Sequence, residues 1–119
     1  MNTRELTKAE LEVMEIVWEK GEVFLKDVID AFVEEPKPAY TTVSTIIRIL
    51  VKKGFLTYKV YGKIHLYSPV VSMEEYSFLM MKKMKARFFG NSFSNMVSFF
   101  AKKEDISQQE RDEIIELMK

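Results

Sequence analysis

The spacing of apolar residues changes at Gly54, and that change restricts what the middle of this chain can fold into. Before it lies "PAYTTVSTIIRILVKKG", where Val43, Ile46, Ile47 and Leu50 stand at i, i+3, i+4 and i+7, one stripe of a helix. The same stretch alternates tolerably as a strand at positions 43, 45, 47, 49 and 51, so period alone does not decide. Length and punctuation do. The run from Tyr40 to Lys53 is long for a strand, and Lys52-Lys53-Gly54 reads as a helix C-terminus closed by a C′ glycine. After it, "FLTYKVYGKIHLYSPV" alternates with period two. Gly62-Lys63 is its hairpin turn and Pro69 its stop. A helix followed at once by a hairpin is the expectation.

Two further helices precede this pair. Thr7 and Glu10 form a capping box, Leu6 can staple onto Leu11, and Leu11, Met14, Val17 and Trp18 share a face that Gly21 closes. Leu25, Val28, Ile29 and Phe32 mark a second amphipathic helix, stopped by "EEPKPAY" because a proline disfavours helix at the residue before it. Two helices, a tight connection, a third helix with a polar outer face and then a hairpin make a winged helix-turn-helix. Beyond Pro69 the chain is helical again. Ser72 and Glu75 cap a fourth helix with Val71 and Tyr76 as its staple, Gly90 breaks it near Arg87, "NSFSNMVSFFAKK" is a fifth, and Ser107 with Glu110 caps a sixth. The fold class is therefore mainly α with a small β-hairpin. The expected organisation is a DNA-binding domain over 1–71 and a helical dimerisation region over 72–119.

Charge is where the average misleads. The formal net charge is zero, yet residues 1–35 carry 4 basic against 10 acidic side chains and residues 36–73 carry 6 basic and no acid. The basic block coincides with the third helix and the hairpin, and such a patch can hold phosphates on a neutral chain. The wet face of the third helix shows Thr41, Thr42, Ser44, Thr45, Arg48 and Lys52. A merely solvated face mixes Glu with Lys, whereas short hydroxyls let a helix sit close to base edges and offer methyls to thymine. Lys59 and Lys63 on the hairpin are placed to lie along a phosphate backbone. These eight residues form the candidate DNA interface.

Other chemistries find little support. The chain has no cysteine, which excludes disulfides, thiolate metal sites and cysteine nucleophiles. His65 is its one histidine, so no common zinc site or Ser–His–Asp arrangement can be assembled, and a packing or phosphate-contact role suits it better. No phosphate-cradling glycine loop is present. Neither an enzyme nor a cofactor is expected. Arg4-Glu5 leads into a helix start rather than a signal peptide, and no apolar run reaches a membrane span. A cytoplasmic protein without membrane insertion is expected.

The last third is crowded with Phe and Met, including Phe78, Met81, Met84, Phe88, Phe93, Met96 and Phe100. On the fourth helix they run nearly all the way round, and a helix apolar on most sides is buried on most sides. So small a domain offers only one surface, and a second copy would supply the rest. Homodimerisation through these residues is the expectation, with a ligand cavity among them as the alternative.

The motifs "LTKAELEVMEIVW", "TTVSTIIRILVKKGF", "GKIHLYSPV" and "AKKEDIS" resemble the penicillinase-repressor family of winged-helix regulators, which includes the methicillin-resistance repressors. The resemblance covers nearly the whole chain. It implies a homodimer on inverted-repeat operator DNA, with Thr42 and Thr45 facing bases and Thr41, Ser44 and Arg48 beside them. It also implies antibiotic-resistance regulation in which a membrane sensor-protease signals and the repressor is cut at Phe99-Phe100, two residues expected to be buried. The characterised repressors carry Asn before the second Phe and usually Arg where Ile49 stands, so this chain departs from them at both places. Copper-responsive relatives use C-terminal cysteines, which are missing. A ligand-responsive repressor and a winged helix serving only protein contact remain the alternatives.

Overall fold

A computed structural model describes residues 5–119; Arg4, with the leader reading attached to it, lies outside them. Six helices and one hairpin follow in the order α1 (Lys8–Lys20), α2 (Leu25–Ala31), α3 (Tyr40–Lys52), β1 (Leu56–Tyr61), β2 (Ile64–Pro69), α4 (Met73–Phe88), α5 (Phe93–Lys103) and α6 (Gln108–Leu117). The chain separates into two compact units whose boundary falls inside α4, between Met80 and Met81.

Helix α1 starts where the capping box is formed in full. The Glu10 N–H donates to Thr7 Oγ1 at 3.2 Å and the Thr7 N–H to Glu10 Oε1 at 3.0 Å, so two donors orphaned by the helix start are satisfied. The inner face of α1 buries Val13, Met14 and Val17. Helix α3 buries Val43, Ile47 and Leu50, the stripe read from the sequence, with Ile46 packed at its edge. Its end is a Schellman motif: the Gly54 N–H donates to the Val51 carbonyl and the Phe55 N–H to that of Leu50. Gly54 sits at φ +84°, a left-handed conformation that favours glycine. This turn drops Phe55 fully into the core and sends the chain into β1.

Phe55 shows how the first turns of α4 belong to the winged-helix unit. Tyr76 is buried between Trp18 and Phe55, with ring centroids at 5.9 and 5.8 Å. Its hydroxyl accepts from the Leu6 N–H at 2.8 Å. Trp18 Nε1 donates to the Val71 carbonyl at 2.9 Å. Val71 and Tyr76, the staple expected before α4, are both in the core.

The hairpin is antiparallel, from Leu56 opposite Pro69 to Tyr61 opposite Ile64, which leaves Gly62-Lys63 as a two-residue turn. Val23 pairs with Tyr67 outside it, tying the link between α1 and α2 to β2. The period-two alternation does not mark a half-buried β1: only Leu56 is buried there, and the remaining residues are exposed. Beyond Leu56 no second layer covers β1, whereas β2 is half-buried along most of its length. Val60 and Ile64 are 61% and 57% exposed. Among the described residues no helix is long and apolar enough to cross a membrane, and no group of three His, Cys, Asp or Glu side chains could hold a metal ion.

Candidate nucleic-acid interface

The outer face of α3 is built by the packing of its inner face. With Val43, Ile47 and Leu50 turned inward, Thr41, Thr42, Thr45, Arg48 and Lys52 are exposed and Ser44 is half-buried. Ile49 is exposed on the same helix, adding an apolar side chain that the hydroxyl pattern did not single out. Thr45 Oγ1 donates to the Thr41 carbonyl at 2.9 Å. That bond uses the hydroxyl proton, so Thr45 has lone pairs and a methyl group left to offer a ligand.

The structure divides the six basic residues of the acid-free stretch into two groups. Lys53 meets Glu10 at 2.6 Å, joining the end of α3 to the start of α1. Burial would raise the Glu10 carboxyl, but the hydrogen bond from Lys53, the Thr7 N–H, the Lys53 charge and the Thr7 hydroxyl outweigh it and hold the group below the usual carboxylate range. Lys37 donates to the carbonyls of Asp30 and Phe32 at the end of α2. Both lysines have structural work. Arg48, Lys52, Lys59 and Lys63 are exposed and, among the described residues, have no ion-pair partner within 4.0 Å. Adjacent Lys52 and Lys53 look equivalent in sequence; only the fold separates them.

The register also separates the two wing lysines. Side chains alternate across a strand, so Tyr58, Val60, His65 and Tyr67 share one face of the hairpin while Lys59, opposite Leu66, is on the other. The Tyr58 and His65 rings stack at 4.3 Å with only 6° between their planes. Lys63, His65 and Tyr67 line a cleft with Tyr40 and Ser44 of α3 and with Lys26 and Asp27 of α2. Burial pushes the Tyr67 phenol up, the nearby Tyr58 and Tyr40 phenols add to this, and Arg48 opposes it. Tyr67 therefore keeps its proton at neutral pH. The aromatic side of the cleft was not foreseen as a site; only His65 carried a signal, as a packing or phosphate-contact residue.

Along the last three helices the Phe and Met residues separate by position. Met73, Met81, Met84 and Phe88, with Ser77, form one stripe along α4, spaced i, i+8, i+11 and i+15 with Ser77 at i+4. All four apolar members are exposed, and so are Phe78, Phe93 and Phe100, whereas Met96 is buried within the single chain. Phe78 lies off this stripe, as do Lys82 and Lys83, and Tyr76 faces the core from a further side of the helix. Phe99 and Phe100 are 51% and 60% exposed, so the expected burial is not provided by one chain alone. Phe99 packs on Phe89 at 5.5 Å and lies under Lys103.

A three-helix core with α3 facing outward beside a two-stranded wing defines the winged helix-turn-helix class of DNA-binding proteins. The chain belongs to the penicillinase repressor family, whose profile matches residues 6–119. That is a family of transcriptional repressors and not of enzymes. The chain is 31% identical over 112 residues to the methicillin resistance regulatory protein MecI of Staphylococcus aureus (strain N315), covering 94% of this chain and 91% of that one. It is 25% identical over 114 residues to the penicillinase repressor of Bacillus licheniformis, covering 96% of this chain and 89% of that one. Among solved structures, the DNA-binding domain of the repressor BlaI matches with a TM-score of 0.55 at 27% identity, over 62% of this chain and 90% of that one. Monomeric B. licheniformis BlaI in complex with the blaP half-operator matches with a TM-score of 0.52, also at 27% identity and over the same shares of the two chains.

Proposed function

We propose that this protein represses transcription as a homodimer on inverted-repeat operators, reading bases with α3 and holding the backbone with its wing. The observation that carries the reading is the division of cations. The fold leaves Arg48, Lys52, Lys59 and Lys63 exposed beside an acid-free row of hydroxyls, and spends Lys37 and Lys53 on structure. A BlaI relative of the same fold is described in complex with a half-operator, which supports the assignment. In this reading residues 1–71 bind DNA and 72–119 supply the dimer contact. Thr42 and Thr45 face bases, Thr41, Ser44 and Arg48 flank them, and Lys52, Lys59 and Lys63 contact phosphates.

Roles separate by experiment. After selection of preferred duplexes from random DNA, Thr45→Ala should lower discrimination between preferred and altered half-sites by about tenfold. Lys63→Ala should weaken all duplexes alike and reduce the salt slope by about one. Anisotropy titrations in which the two variants behave identically would show the roles to be misassigned.

Release follows from dimer geometry, because parting the two copies removes the effective concentration that holds both half-sites. We place a cut at Phe99-Phe100, made in answer to a membrane sensor-protease, in the middle of α5. Both side chains are exposed in the single chain, but the bond lies in a helix, so a protease needs local opening first. Mass measurement of the protein during induction checks this: two fragments are expected, and an intact chain at full derepression would replace cleavage with a ligand or a partner.

A further inference from the structure

We propose that the cleft between the wing turn and the helix-turn-helix holds one backbone phosphate of bound DNA, with His65 as a proton-linked contact to it. This rests on the DNA-binding reading and adds to it a subsite not included in the α3 face. Three observations place it. The register puts His65 on the hairpin face that lines the cleft, near Lys63 at the turn and Tyr40 on α3. The imidazole is held in orientation by its stack on Tyr58, and Nδ1 lies 3.5 Å from the Tyr67 hydroxyl. Nε2 has no hydrogen-bond partner among the described residues and is not buried without one, so it is free to donate to an incoming oxygen.

The charges around the cleft favour an anion. Lys26 of α2 and Lys63 of the turn are its cations, and Tyr40 adds a phenol from α3. Asp27 is the one carboxylate lining it, and its Oδ2 accepts from the Phe24 N–H at 2.9 Å. Tyr58 and Tyr67 face His65 from the two strands, and Arg48 acts on Tyr67 from α3. Phosphate oxygens take hydrogen bonds from side chains of these kinds, and such contacts set register on the duplex without reading sequence. A phosphate brought against the ring favours the imidazolium, because an opposite charge stabilises the charged form. Binding and protonation are therefore coupled, and each promotes the other.

A single histidine makes the test clean. The full-length chain is titrated with a selected duplex lacking terminal phosphates, at about pH 6 and about pH 8, within the range where histidine changes charge. The expected result is affinity about tenfold higher at the lower pH, with a salt slope steeper by about one. His65→Gln should lose the pH dependence. The His65 ring proton resonances should titrate at higher pH in the duplex complex than in the free protein. Duplex binding with the same pH dependence in wild type and His65→Gln would overturn the subsite while leaving the α3 reading intact. Absence of duplex binding would overturn both. Equal displacement of the His65 titration by inorganic phosphate alone would make the cleft a free-anion site and overturn its assignment to the DNA backbone.

Discussion

A chain ending at Met80 is expected to remain folded, to be monomeric, and to bind its full operator about a hundredfold to ten-thousandfold more weakly than the intact protein. Folding should survive because the cut keeps Tyr76 between Trp18 and Phe55 and keeps the Leu6 N–H bond to its hydroxyl. A cut at Val71 would remove that ring and confuse unfolding with loss of dimerisation. Affinity should fall because the truncation deletes Met81, Met84 and Phe88, the exposed apolar members of the α4 stripe beyond Met80, along with Phe93 and Phe100. With no second half-site held nearby, each domain binds on its own. Sedimentation equilibrium and titration of the full and half operator check both parts. A dimeric truncated chain, or an intact chain that is monomeric at micromolar concentration, would remove the C-terminal dimer from the proposal.

The second large effect lies in the core of the winged helix. Tyr76→Ala is expected to cost about 4 kcal/mol, since it opens a cavity between two large rings and the chain is too tightly packed to close it. Against the roughly 5–15 kcal/mol that holds a small domain, that is a large share of the stability. Tyr76→Phe keeps the packing and loses only the hydroxyl, leaving the buried Leu6 N–H without its partner at a cost of about 1–2 kcal/mol. Denaturant melts of the two variants should therefore differ clearly. Equal losses would mean that the hydrogen bond rather than the ring packing does the holding. DNA binding measured at low temperature, where both variants are folded, should be close to wild type, because Tyr76 is buried away from the exposed α3 face.

Helix α4 carries exposed Met and Phe side chains on one stripe. Tyr76 turns into the first unit, yet the same helix carries the Met73, Met81, Met84 and Phe88 stripe outward. Exposed apolar stripes of this kind mark association surfaces. The sequence showed the density of Phe and Met there and suggested a helix apolar on nearly every side. Phe78, off the stripe, is exposed as well, and Tyr76 is buried on another side.

What the sequence determined by itself was everything written in local periods and punctuation. The capping pairs Thr7–Glu10, Ser72–Glu75 and Ser107–Glu110 each form. The Val43–Ile47–Leu50 stripe is buried, and Gly54 and Gly62 turn the chain where expected. These features depend on residues three or four apart, or on one residue's backbone freedom, so no distant partner is needed to read them. Tertiary structure decided which like residues differ. Among the described residues Lys52 has no ion-pair partner while Lys53 pairs with Glu10 far along the chain, and Lys37 closes α2 while Lys63 faces the cleft. His65 and Tyr67 meet α3 across the wing, and Tyr76 joins Trp18 to Phe55. Each of these depends on a contact between segments distant in sequence, and the spacing of residues along one segment carries no record of what another segment brings against it.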